Sequence, residues 1–268
     1  MHFYTKQDDK VQARHFVPMA KDPSRNRPSR VSDAKKALKN GEQWFPSVTT
    51  VLNVLDKPSL VNWKVDQHLQ QAFSVPPLQD QGMWIDKVKS ITRSSMDVAP
   101  SAGTDMHKIL EDHVFFGSDQ GNKELLNMDG LEFHIVHEIE MKLDRLGITP
   151  QDTYKEEYFL DDGVGYAGCA DLVVRDDECW VIDYKTKLTA DKFKPGKMAY
   201  PDHTRQLAAY GMALFPNKFR AANIFICLET GDIDFHEHSW ESLENGWLDF
   251  VDCLNIFKRN TFNPTTAA

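Results

Sequence analysis

The chain has 268 residues, 41% of them hydrophobic, which suits one large globular domain or a core with an added subdomain. A net charge of −9 and a pI of about 5.6 leave no global basic field, which excludes a passive nucleic-acid coat but not an enzyme whose carboxylates hold metal. No apolar run reaches the roughly 18 residues of a membrane span.

The N-terminus lacks the apolar core of a signal peptide, and Asp8 and Asp9 do not suit a transit peptide. Cys169, Cys179, Cys227 and Cys253 lie far apart, so zinc-finger and iron–sulfur spacings are absent. They are expected to be reduced, buried thiols of a cytoplasmic protein.

Residues 1–45 carry ten Lys/Arg against five Asp/Glu, a net of +5. The Pro-, Ser- and Arg-rich stretch Asp22–Arg30 reads as a loop or mobile arm, either a solvated tail or a segment touching nucleic acid. Order is expected to begin near Phe45. Pro46 and Ser47 punctuate the start of a helix carrying Val48, Val51, Leu52 and Leu55, and Pro58-Ser59 restarts a second with Leu60 and Trp63. Ser74–Gln81 is a Pro-containing loop.

Thr104 has the chemistry of an N-cap for a helix with Met106, Ile109, Leu110 and Val114 inward, stopped by Gly117. His107 and Glu111 share another face of it. A further amphipathic helix runs over 131–146, ended by Gly147. After Pro150 the period changes to that of strands: Tyr154–Leu160, Tyr166–Val174 and Cys179–Thr186. A basic loop leads to a helix over His203–Leu214. Strands at Asn223–Glu229 and Ile233–His238 follow, and Glu241–Arg259 closes the chain as a helix. The order helix, three strands, helix, strand predicts an α/β sheet flanked by helices.

Asp171 and Asp183 stand inside apolar strands, where a lone carboxylate is costly. Asp183 and Lys185 are two apart and share a face. A three-residue turn at Asp176-Asp177-Glu178 places Arg175 opposite Cys179 and hence Asp171 opposite Asp183. Two such carboxylates repel unless a proton or a cation intervenes, and oxygen ligands suit Mg²⁺ or Mn²⁺, one or two ions. Lys185 could then position and help deprotonate an attacking water and stabilise charge on a phosphate.

Glu157 is a candidate for a further ligand or for holding a water on the metal, unless it is an ordinary exposed strand carboxylate. Adjacent Glu156 competes, since strand alternation puts only one of the two on the site face. His107 is a candidate ligand from the preceding helix, and Glu111 could orient it. Gln206 and Tyr210 share a helix face. Residues 185–205 hold six basic residues, among them Lys187 and Arg205, against Asp191 and Asp202, a local +4 that could track phosphates or be a solvated loop.

These residues resemble the D…(D/E)-x-K core of the PD-(D/E)XK nuclease superfamily, through Asp171…Asp183-Tyr184-Lys185. Gly103-Thr104-x-x-His107 upstream and Gln206-x-x-x-Tyr210 downstream resemble its RecB-like branch. Glu157…Gly165-Tyr166-Ala167-Gly168…Gln206-Leu207-Ala208-Ala209-Tyr210 is similar to the mitochondrial genome maintenance exonucleases and their phage and bacterial relatives. The similarity spans roughly residues 100–230, with a weaker echo at Phe45–Leu52. Ala170 stands where the eponymous proline would be.

The resemblance implies a restriction-endonuclease-like mixed sheet flanked by helices (αβββαβ). It divides the chain into a basic arm over 1–45, a helical extension over 46–100 and a nuclease core over 101–268. It implies metal ligation by His107, Asp171, Asp183 and the Tyr184 carbonyl, catalysis by Lys185, and support or DNA contact from Gln206 and Tyr210. It implies a Mg²⁺- or Mn²⁺-dependent exonuclease without an iron–sulfur cluster. Such an enzyme would work on single-stranded DNA ends in replication, recombination or repair, with proteins of those processes as partners, in the cytoplasm of a bacterial or phage-infected cell. The competing expectations are a structure-specific or restriction-type endonuclease and a non-catalytic DNA-binding replication accessory protein.

Overall fold

A computed structural model describes residues 2–7, 10–14, 16–19, 22–114 and 129–262. Asp8, Asp9 and the helix stop expected at Gly117 lie outside these. Five strands form a mixed sheet: β6 (Thr153–Asp161), β7 (Tyr166–Val174), β8 (Trp180–Lys187), β9 (Arg220–Cys227) and β10 (Ile233–His238). Their order is β10-β9-β8-β7-β6. β8 and β9 are parallel and the other neighbours antiparallel. The parallel pair requires a crossover, which α7 (Pro201–Leu214) supplies.

Helices cover both faces, which explains why the central strands read as nearly continuous apolar runs. Val173, Val181 and Ala221 pack in one cluster with α7, with α2 (Val48–Leu52) and with α8 (Trp240–Phe262). Leu172, Ile182, Tyr184 and Ile224 pack on the opposite side with α5 (Val98–His113) and α6 (Gly130–Asp144). α6 opens with a reciprocal cap between Asp129 and Glu132. The fold is thus mixed α/β, a sheet between two helical layers. No helix among the described residues is long and apolar enough to cross a membrane.

The N-terminal region departs from expectation. Phe3, far ahead of Phe45, is already fully buried. β1 (Phe3–Gln7) pairs with β2 (Lys10–Ala13) and with β5 (Phe45–Pro46). The stretch read as a loop forms β4 (Asp22–Pro28), hairpinned to β3 (Phe16–Met19), and Arg27 pairs with Asp33 of α1 (Val31–Lys39). Ser47 caps α2 as its chemistry predicts, its hydroxyl accepting from the Thr50 N–H. α3 (Pro58–Ser74) follows, and α4 (Gln81–Met96) is an element the apolar spacing did not single out. Thr104 is no N-cap: α5 starts at Val98, and the Thr104 hydroxyl donates to the Pro100 carbonyl within the helix.

Candidate functional site

The β7–β8 register matches the one counted from a three-residue turn. Val174 lies opposite Trp180 and Leu172 opposite Ile182; the Asp171–Asp183 pair to which the count extends lies beyond the last paired residues. The paired ladder stops at Leu172 and Ile182. Beyond it, the Asp171 carboxylate takes the place of a backbone acceptor: its Oδ2 accepts from the Tyr184 N–H at 2.9 Å.

Asp171 also marks a break in alternation. Ala170 belongs to the α7-side cluster and Leu172 to the α5-side cluster, although residues two apart on a regular strand share a face. β6 breaks at the same level. Lys155 pairs with Leu172 and Glu157 with Ala170, while Glu156 between them has φ 47°, the left-handed region. A non-glycine residue there is strained, and such breaks re-aim side chains.

This decides between the two glutamates. Glu157 is turned to Arg175, with which it forms an ion pair; the guanidinium also lies over the Tyr154 and Phe215 rings. The expectation that Glu157 serves the site therefore does not fit its placement. Glu156 lines the cavity instead. This cavity, of about 630 Å³, is bounded by Gly103, His107, Glu111, Glu156, Tyr184 and Lys185 among others. Burial first, then Glu111 and Asp171, raise the pKa of Glu156.

α5 delivers His107. Gly103 eases it: a Cβ at that position would meet the Thr186 hydroxyl oxygen at 2.8 Å, so a larger residue there requires Thr186 to shift. His107 Nδ1 lies 3.6 Å from Asp171 Oδ2, and its ring stands edge-on to Tyr184. Burial opposes its charged form, but the Asp171 carboxylate outweighs this and its pKa is raised.

From β8, Lys185 reaches Asp183 Oδ2 at 2.6 Å; the carboxylate side chain is only 4% exposed. Gln206 joins both groups. Its amide nitrogen donates to Asp183 Oδ1 at 3.1 Å and lies 2.8 Å from the Tyr210 hydroxyl, while its oxygen accepts from Lys185 at 3.2 Å. Burial and the neighbouring Asp171 charge raise the pKa of Asp183 against the pull of Lys185.

The structure thus brings together His107, Asp171, Asp183, Tyr184, Lys185, Gln206 and Tyr210. Lys187 lies further along the same strand, half-buried near the Tyr200 and Phe225 rings, its pKa lowered by burial and then by Lys185. Arg205 is turned away, paired with Asp202 and Asp249. Asn223, which donates to Asp183, and His238, which partners the Asn223 amide oxygen, were missed. The signal was present: an amide inside Ala-Ala-Asn-Ile-Phe-Ile-Cys is as anomalous as the two aspartates.

The donor set suits a hard divalent cation: carboxylate oxygens with one imidazole. Mutual repulsion of Asp171 and Asp183 favours one, and Asp171 Oδ1 accepts no hydrogen bond among the described residues. No three His, Cys, Asp or Glu side chains among the described residues already converge as ligands. Lys185 is the counter-cation of Asp183 in this arrangement.

No protein-family model matches the chain, and no curated protein matches it. Solved structures resemble it in part. SSO0001 is 16% identical, covering 56% of this chain and 84% of its own, with a TM-score of 0.27. A protein of Eubacterium rectale designated an exonuclease is 13% identical, covering 60% of this chain and 68% of its own, with a TM-score of 0.38. Likenesses this loose leave the functional reading to the site itself.

Proposed function

We propose that the chain is a metal-dependent deoxyribonuclease of PD-(D/E)XK type, an exonuclease acting on single-stranded DNA ends in replication, recombination or repair. The observation that carries this reading is Lys185. Its ammonium is held between Asp183 and Gln206 at the edge of a cavity that also presents His107 and Glu156. A cation and an acid so placed suit the handling of a water beside a phosphodiester.

Asp171, Asp183, His107 and the Tyr184 carbonyl would hold Mg²⁺ or Mn²⁺. The metal, when bound, supplies Lewis-acid polarisation of the phosphate and acidifies water. Lys185 orients the nucleophile and offsets negative charge on the phosphate. Gln206 keeps the Lys185 amine and the Asp183 carboxylate in register, and Tyr210 buttresses Gln206. Glu156, with its raised pKa, is placed to exchange a proton with water in the cavity.

The test uses 5′- and 3′-labelled single- and double-stranded oligonucleotides and a closed single-stranded circle, with Mg²⁺ or Mn²⁺. End-dependent degradation is expected, with the single strand preferred. Lys185→Ala should lower the rate by about 10²-fold or more. Rapid cutting of the circle would make the enzyme an endonuclease. No degradation with any divalent metal would make it a DNA-binding protein.

A further inference from the structure

The parallel ladder sets Asn223 of β9 directly opposite Asp183 of β8. Asn223 is fully buried in a strand whose residues after Arg220 are otherwise apolar, a placement that is costly unless the amide is bonded. Its nitrogen lies 2.8 Å from Asp183 Oδ2, and its oxygen lies 2.9 Å from His238 Nε2. His238 of β10 is itself buried, and its Nδ1 lies 3.1 Å from the Thr204 hydroxyl of α7.

The chemistry fixes the direction of every bond in this line. A carboxylate only accepts, so the Asn223 amide must donate to Asp183. Its oxygen then faces His238 and must receive a proton from Nε2. A neutral imidazole with Nε2–H has a bare Nδ1, which accepts from Thr204. Turning the Asn223 amide over would set its oxygen against the Asp183 carboxylate and its N–H₂ against an imidazole N–H. The first contact is repulsive whatever the tautomer and the second is relieved only by the other tautomer, so the Asp183 carboxylate sets the amide, and His238, donating to the amide oxygen, holds Asn223 in that orientation.

From this we infer that Asn223 and His238 are positioning residues of the active site, acting through Asp183. They present its Oδ2 to Lys185 and leave Oδ1 to Gln206. His238 touches neither Lys185 nor the cavity beside it; it lines a second cavity of about 650 Å³ that shares no residue with the first. Its contribution is therefore orientation and not contact with substrate. The inference rests on the proposed nuclease function for its kinetic consequence, and on hydrogen-bond geometry for the rest.

Two measurements test it. The first is nitrogen-15 and carbon-13 NMR of the full chain without metal at pH 7. His238 should be the neutral Nε2–H tautomer. The Asp183 carboxyl signal should shift in His238→Phe and return toward its native position in His238→Gln, whose amide offers an N–H to Asn223 and an oxygen to Thr204. The second is kinetics on single-stranded DNA. His238→Phe should lower kcat about 10- to 100-fold with KM little changed, and His238→Gln should recover most of the loss.

A charged or Nδ1–H His238, an unmoved Asp183 signal, or full activity in folded His238→Phe would overturn the inference. If the phenylalanine variant fails to fold, the wild-type tautomer and the glutamine variant still decide. A wild type without nuclease activity would remove the proposed function, and the spectra would still judge the relay.

Discussion

Glu156 and Glu157 are neighbours of one residue type with opposite surroundings. Glu156 occupies a left-handed kink and faces His107, Glu111 and Asp171, whereas Glu157 is bound to Arg175 on the other side. Glu156→Gln is expected to reduce DNA degradation about tenfold or more while leaving the thermal midpoint within a few degrees. Glu157→Gln should do the reverse, keeping activity within about threefold and costing about 1 kcal/mol as Arg175 loses a half-buried partner. Rates and melting curves on the two variants check this, and equal activity losses would refute the assignment. Sequence spacing could show that one of the pair faced the site. It could not show which, because the choice depends on a φ reversal in a non-glycine residue. By contrast, the shared face of Asp183 and Lys185 was legible, since two-residue alternation is a local quantity, and one turn length fixes the β7–β8 register as far as Leu172; Asp171 lies one residue beyond, where the alternation breaks.

At the level of elements, α5 shows how close packing serves chemistry. His107 reaches Asp171 because Gly103, one turn earlier, lets the helix settle on Thr186 of β8. Gly103→Ala is expected to push α5 outward, lower stability by about 1–3 kcal/mol and cut activity about tenfold. Adding Thr186→Ala removes the oxygen that the new methyl meets and should restore much of both. Failure of the double variant to recover either would show that the close approach is not what seats His107. The elements that periodicity identified best, α6, α7, α8 and β6 to β8, are those whose partners lie nearby in sequence or whose apolar stripe is long. The N-terminal strands were illegible for the converse reason. β1 finds its partner β5 some forty residues away, and the Lys and Gln residues in β1 and β2 blur the apolar alternation. Asn223 escaped in the same way, because its meaning lies in the β8–β9 pairing across 40 positions.

At the scale of the whole molecule, buried histidines tie stability to pH. His203, packed against the Tyr200 and Phe225 rings, has a pKa lowered to about 3 by burial and then by Lys185 and Lys187. His238 is lowered to about 4 by burial and then by His236. Each is neutral in the fold, whereas in the unfolded chain it gains a proton near its ordinary value of 6.5. Below that value the unfolded state binds more protons, so stability falls with pH through a window running from 6.5 toward 4. His107 has the opposite sign: its raised pKa adds stability below 6.5 that is lost as pH rises through the folded value. Glu156 and Asp183, whose pKa values are raised, share the sign of His107. The large downward shifts of His203 and His238 are expected to outweigh these and leave a net loss on acidification. The urea midpoint is therefore expected to drop between pH 7.5 and 5.0, a range above the ordinary carboxylate values. His203→Phe should flatten the decline, because an apolar ring fills the same half-buried place without a proton to gain. A midpoint that is level or rises toward pH 5.0 in the wild type would contradict the burial of these imidazoles. A decline unchanged in His203→Phe would assign it to other groups.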